Sequence, residues 1–524
     1  MNILDWTVLS LYILIIVGIG FYLSKSQHNQ QDYYLAGKRM PSWQIALSMV
    51  ATQVSAISLI GAPAFIAVKG DGGLFWLQYE FAIPIAMIFI MITVVPIYHR
   101  FGVISIYEYL EQRFGPHIRV VLSLIFMASR SLAAGVALVA TSIVTSVILD
   151  IPLTITVIVT GAIAVLYTTM GGIKADIYSD ILQLFILWFS AMLCLFMLLE
   201  LTKGCPLPET ERYEIFKISG TGLGDGETYG FWPMLLGGFF LYLSYYGCDQ
   251  SETQRLLTAK DTRHAQKALL INGMLRFPLV ITYCSVGILI IPFLHSHPSF
   301  TKMLNGKPAD FLMPTFLLHY MPHGLLGLAI AGIFAASMSS LDSTLNSLSA
   351  VTWRDFLQKH TFFQRISPGK ELWFSKFLTL MWGILCTIFA LYMIGGPETV
   401  LVMVNKIGSA FYGPILAMFW LGIFTSRTNE KGAIIGLIVG VGTNIFLWQS
   451  YEQQVSWLWW NLIGFLISFG IGYITSFLIA PSSKSNNISI LLASKPPPAY
   501  WGALLFVFCA ILFICWLIQR LLLA

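Results

Sequence analysis

Residues 332–356 read GIFAASMSSLDSTLNSLSAVTWRDF. The stretch has the length of a membrane span and lies in a very apolar sequence. Yet it carries Ser337, Ser339, Ser340, Ser343, Thr344 and Ser347 around Asp342. Hydroxyls are tolerated in membrane helices because they bond to backbone carbonyls or to neighbouring helices. A carboxylate at that depth is costly and marks an ion or substrate path. Hard oxygen ligands suit alkali and alkaline-earth cations. The segment therefore predicts a cation site inside a membrane protein.

The rest of the chain agrees. Of its 524 residues 57% are hydrophobic and only 10% charged, against about 25% charged in a soluble domain. Mean hydropathy is +0.76. This is an all-α polytopic membrane protein whose first partner is the lipid bilayer. The net charge of +5 needs no nucleic acid, and no obligate protein partner is evident. The seven cysteines form no CxxC pair, and no HExxH motif occurs. They read as small core residues rather than a disulfide frame or a metal site. Residues 3–23 lack a basic leader and a cleavage site and read as a retained helix.

Apolar runs near twenty residues suffice to cross a bilayer. They predict fourteen spans: 3–24, 42–68, 75–98, 119–148, 152–170, 176–201, 231–249, 269–295, 312–348, 372–395, 400–426, 431–449, 455–481 and 499–522. The ninth is too long for one span and should begin with a helix lying in a loop. Lysine and arginine concentrate in loops 24–41, 99–119, 250–267 and 351–376. All four fall on one side, which the positive-inside rule makes cytoplasmic. Both termini then lie outside, in a plasma (inner) membrane. No GxxxxGK[ST] occurs, so ATP is not the expected energy source. No nucleophile–base set or metal-ligand spacing suggests an enzyme.

The second span reads PSWQIALSMVATQVSAISLIGAPAFIAV over 41–68. Its centre is small and polar, and Gly61 and Pro63 follow. Pro removes a backbone donor and Gly loosens a helix. Such a segment can unwind and turn free carbonyls toward a cavity, as the discontinuous helices of secondary transporters do. The bland reading is a kinked helix packed through small residues. Charges inside spans are few: Glu80, Arg130, Asp176, Asp180, Arg276, Asp342 and Lys406. Each is either functional or a paired charge that fixes packing.

Five motifs in order carry a resemblance to a known family: PIYHRFGVISIYEYLEQRFG (96–115), YTTMGGIKADIYSDILQ (167–183), YYGCDQSETQRLLTAKDTRHAQKAL (245–269), AASMSSLDSTLNS (335–347) and SAFYGPILAMFWLGIFTSR (409–427). The chain resembles the sodium:solute symporter family over about residues 5–450. The resemblance implies a five-plus-five inverted repeat of the LeuT type. Residues 1–30 would be an extra helix, 40–200 the first repeat, 230–427 the second, and 430–524 three peripheral helices. It implies a main sodium site from backbone oxygens of Ala51, Val54 and Ala336 and the hydroxyls of Ser339 and Ser340. Some members hold a second sodium, and Asp180, Ser339 and Ser343 match that site. Asp342 departs from the pattern there, since such members have a hydroxyl.

For the solute the resemblance points to Gln53, Ser58, Glu80, Arg130, Tyr242, Tyr245 and Arg276. Ile57 and Ser58 replace a Glu-Gln pair of sugar-transporting members, and Tyr242 replaces an asparagine. Arg130 falls where carboxylate-transporting members clamp their substrate, and a guanidinium suits a carboxylate through two parallel hydrogen bonds. Arg276 either adds a second positive charge or neutralises Glu80. The expected function is sodium-coupled import of a small organic solute by alternating access, favouring an organic acid or acidic sugar such as sialic acid. The alternatives are a neutral sugar or other nutrient, proton coupling through Asp342 and Asp180, and a transport-like sensor. One sodium entering down 100 mV gains about 2.3 kcal/mol, roughly a fifty-fold accumulation of a neutral solute.

Overall fold

A computed structural model describes the chain except residues 26, 28, 55, 396–398, 480–493 and 524 and the side chains of 56, 57, 167, 364 and 368. The described residues are helical, and their β-structure is limited to two isolated bridges. The helices that matter are α1 (Ile3–Ser24), α2 (Ser42–Gln53), α3 (Ala56–Ala67), α4 (Ala82–Ile92), α5 (Pro116–Leu149), α6 (Leu153–Leu201), α7 (Gly238–Cys248), α8 (Gln250–Leu257), α9 (Thr262–Ser296), α10 (Leu325–Val351), α11 (Pro368–Met393), α12 (Val400–Phe424), α13 (Glu430–Tyr451), α14 (Trp459–Ile479) and α15 (Pro498–Leu523).

Among the described residues eleven helices are long and apolar enough to span a membrane, or twelve when the bent pair α2–α3 counts as one span. Two of the fourteen expected spans fall short of that length. One is 153–166, the start of α6. There α6 is two rods joined at Gly172, whose φ of 58° is left-handed; a Cβ on this residue would meet the Tyr33 ring at 2.7 Å. The other is the seventh span. It opens on a π-turn at Pro233–Gly237, continues as α7 and stops at Asp249, whose φ and ψ of −102° and 126° are extended. The ninth expected span is indeed two helices: Leu312–Tyr320 precedes α10, with Gly324 (φ 85°) between them.

Burial sorts these helices. The most apolar windows of the helices containing α10 and α12 are 83% buried, and those containing α4 and α5 are 78% buried. The corresponding figures for α1, α13, α14 and α15 are 22%, 33%, 28% and 17%. A helix apolar all round sits inside a bundle or in lipid, and these four present most of their apolar surface outward. On α1 the buried set is Asp5, Leu9, Tyr12, Ile16 and Gly20, a single stripe at helical spacing. Asp5 also ties α1 to the start of α10. Its carboxylate accepts from the backbone N–H groups of Gly324 (2.6 Å) and Gly327 (3.0 Å), donors that a helix N-terminus leaves free.

Candidate functional site

The first helical arm of the second span ends where the sequence turns small and polar. α2 stops at Gln53, and Val54 leaves helical geometry with φ −87° and ψ 87°. The arms meet at a 50° bend. Ser55 and the side chains of Ala56 and Ile57 lie outside the described residues. A helix C-terminus leaves its last carbonyls without intrahelical partners. Here one of them, that of Thr52, meets α10, whose Ala335, Ala336 and Ser339 are small enough for close approach. Ser340 Oγ donates to the Thr52 carbonyl at 2.8 Å and lies 3.4 Å from the Ala336 carbonyl. Ser339 Oγ is fully buried beside Asp180 and makes no well-formed hydrogen bond. Of the expected main-site residues, Ser340 thus touches the end of α2 directly, while Ala336 and Ser339 flank it on α10. Their donor set of neutral carbonyl and hydroxyl oxygens fits a monovalent cation, and the buried Ser339 hydroxyl supplies an acceptor in need of a partner.

One turn further along α10 the surroundings change. Ser343 Oγ donates to the Ser339 carbonyl at 2.6 Å, lies 3.2 Å from Thr52 Oγ1, and accepts from the Arg255 guanidinium. Arg255 also donates to Ser48 Oγ at 2.6 Å and to Asp180 Oδ2 at 2.9 Å. Ser48 Oγ in turn donates to Asp180 at 2.5 Å. Arg255 comes from α8, and its side chain is 1% exposed. Two of the groups expected to hold a second sodium, Asp180 Oδ2 and Ser343 Oγ, already serve a guanidinium, so that pair does not fit a sodium ion in this arrangement. Asp342 lies elsewhere on α10, accepting from Thr168 Oγ1 at 2.6 Å.

Next to the break lies a cavity of about 110 Å³. Six of the seven expected solute residues line it: Gln53, Ser58, Glu80, Tyr242, Tyr245 and Arg276. Arg276 and Glu80 form a two-point ion pair, with Nε–Oε2 at 2.7 Å and Nη2–Oε1 at 2.9 Å. Tyr242 accepts from Arg276 Nη2 at 3.2 Å. So Arg276 neutralises Glu80. Arg130, the seventh, is not in the wall. It donates to Asp249 and, at 2.9 Å, to the Tyr412 hydroxyl. Its guanidinium stacks 4.9 Å from the Tyr245 ring and 5.6 Å from Tyr412. Arg130 therefore backs two tyrosines of the wall and reaches the cavity through them.

The sequence reasoning missed several wall residues: Trp76, Tyr283, Asn405 and Tyr412. Aromatic side chains in an apolar span carry no signal that separates wall from core. Arg255 was missed for another reason, since it lies in a segment that reads as a charged loop, and Asp249 was passed over as the last residue of the expected seventh span. The remaining in-span charges are paired: Asp176 accepts from Asn346 at 2.9 Å, and Lys406 bonds Glu452.

A solved, substrate-bound, outward-open sodium-coupled sialic acid symporter superposes with a TM-score of 0.81 at 24% identity, covering 92% of this chain and 100% of that one. MHP1, a nucleobase-cation-symport-1 family transporter, superposes at 0.55 with 11% identity, over 89% and 97%. In sequence the chain is 27% identical to the sodium/sialic acid symporter NanT of Aliivibrio fischeri, over 94% of this chain and 96% of that one. It is 30% identical to sodium-coupled monocarboxylate transporter 2 of Bos taurus (83% and 71%). It is 28% identical to the sodium-dependent multivitamin transporter of Oryctolagus cuniculus (84% and 69%). The model of the sodium:solute symporter family matches residues 33–440. A broken helix facing a hydroxyl-rich one, a polar cavity beside the break and a match over most of the chain lead to one conclusion: this protein belongs to the sodium:solute symporter family and is a transporter, not an enzyme.

Proposed function

We propose that the protein imports a small organic carboxylate together with sodium by alternating access. The observation that carries this reading is the Ser340–Thr52 contact at 2.8 Å, which sets the end of α2 against the middle of α10 around neutral oxygens beside the cavity. In this reading the carbonyls of Ala51, Val54 and Ala336 and the hydroxyls of Ser339 and Ser340 hold the ion. Residues 40–200 and 230–427 form the two inverted repeats, each with an interrupted first helix, α2–α3 and α7–α8. Both termini lie outside, because the basic loops face the cytoplasm. A second sodium would have to displace Arg255 from Asp180 and Ser343.

Two features support a small acid. The cavity brings Arg276 into its wall and stacks Arg130 behind Tyr245 and Tyr412. Its volume of about 110 Å³ lies well below the ~300–1,000 Å³ of sites for drug-sized ligands, which suits a short monocarboxylate better than a nine-carbon acidic sugar. The Glu80–Arg276 pair favours a second reading, a neutral polar solute, because it leaves the cavity wall without net charge.

A thermal-shift screen of monocarboxylates, sialic acids, sugars and amino acids, with sodium or choline, separates the readings. Stabilisation by a short monocarboxylate only in sodium is expected, and Arg276→Gln should abolish it. Arg130→Ala should weaken it less, through loosened tyrosines. Equal uptake in choline medium would sink sodium coupling. A response confined to neutral sugars would sink the acid.

A further inference from the structure

A second cavity lies away from the solute site, between the starts of α2 and α9. It has a volume of about 840 Å³ and is lined by Lys38, Arg39, Lys260 and Lys267, with Trp43 and Ile271 on its apolar side. Two loops that are distant in sequence build it. Met40 N–H donates to the Thr258 carbonyl at 3.2 Å and locks them together. Four cations sharing one cavity repel one another unless something negative joins them. Among the described residues none of these four side chains takes part in an ion pair or hydrogen bond. The nearest acid in sequence, Asp261, is already engaged. It caps α9 through the His264 N–H at 3.0 Å and pairs with His264 Nδ1 at 2.9 Å.

The position of the cavity selects its ligand. It opens where two membrane helices begin, which is the level of lipid headgroups. Trp43 is 50% exposed there, and tryptophan favours that interface. Past Ile271, Met274 follows on α9, 45% exposed, so an apolar track leads from the cations toward the hydrocarbon. Basic pockets at the cytoplasmic ends of membrane helices suit anionic headgroups.

We propose that this cavity holds the phosphodiester headgroup of an anionic phospholipid, with its acyl chains leaving past Trp43 and Ile271. The test is native mass spectrometry of the full chain after delipidation and re-addition of phosphatidylglycerol or phosphatidylcholine. Retention of phosphatidylglycerol over phosphatidylcholine is expected. Lys260→Gln with Lys267→Gln should weaken it about twenty-five-fold, at about fivefold per lysine. The control pair Lys302→Gln with Lys307→Gln should leave it unchanged. Both pairs are exposed, and their melting in phosphatidylcholine confirms folding. Equal retention of the two lipids, or an unaffected Lys260/Lys267 variant, overturns the proposal. So does displacement of phosphatidylglycerol by millimolar inorganic phosphate, which would make this a site for a soluble anion.

Discussion

Successive turns of α10 use the same residue type for opposite ends. Ser340 meets a carbonyl of the broken helix at 2.8 Å, so its surroundings are neutral oxygens with no fixed cation. Ser343 meets a guanidinium, which also binds a buried carboxylate and Ser48. The difference teaches what a hydroxyl-rich helix can and cannot announce. Neutral oxygens alone leave a charge vacancy for a mobile ion. A carboxylate in a low-dielectric interior demands a counter-charge, and here the protein supplies one from its own chain.

The harshest way to break this contrast is Arg255→Ala. It strands Asp180, and removing one partner of a buried pair costs about 3–5 kcal/mol. Thermal unfolding should drop sharply, and adding Asp180→Asn should restore much of the loss; an unaffected single variant would mean the pair carries no such load. Ser340→Ala comes next. If its hydroxyl holds the ion as proposed, its loss is worth about 1 kcal/mol, so the sodium concentration for half-maximal uptake should rise roughly five- to tenfold with protein still in the membrane. Unchanged sodium dependence would count against the site. Ser343→Ala should move that concentration by less than about twofold, because the bond it loses is one of several around Arg255. A shift as large as that of Ser340→Ala would erase the distinction between the turns. Asp342→Asn should change least, keeping an acceptor for Thr168 and keeping sodium dependence. Uptake that instead becomes insensitive to both sodium and pH would revive proton coupling.

Much of this was legible in the sequence. The broken second span shows as small polar residues before Gly61 and Pro63, and α10 as serines at helical spacing. Glu80 and Arg276 stand out as charges in apolar runs. The clearest failure was Arg255. The segment Gln250–Leu257 is polar and was counted with the cytoplasmic basic loops, yet all eight of its residues are buried. Its helix tucks between α2, α6 and α10, and only the tertiary fold decides that. Arg113 repeats the lesson. Counted as a loop charge, it is buried and donates to the carbonyls of Gly422 (3.2 Å) and Thr425 (2.6 Å) at the end of α12. The positive-inside rule locates a side of the membrane; it does not say which cations see water. The short seventh span was equally opaque, since hydropathy records that a segment is apolar but not that the chain leaves the helix at Asp249.

The clasp between Asp5 and the backbone of Gly324 and Gly327 has a practical consequence. The fifth residue of the chain caps the helix that carries Ser339 and Ser340, and a Cβ on Gly327 would come within 2.5 Å of the Asp5 carbonyl oxygen. Asp5→Ala would therefore loosen the start of α10, four turns before Ser339 and Ser340.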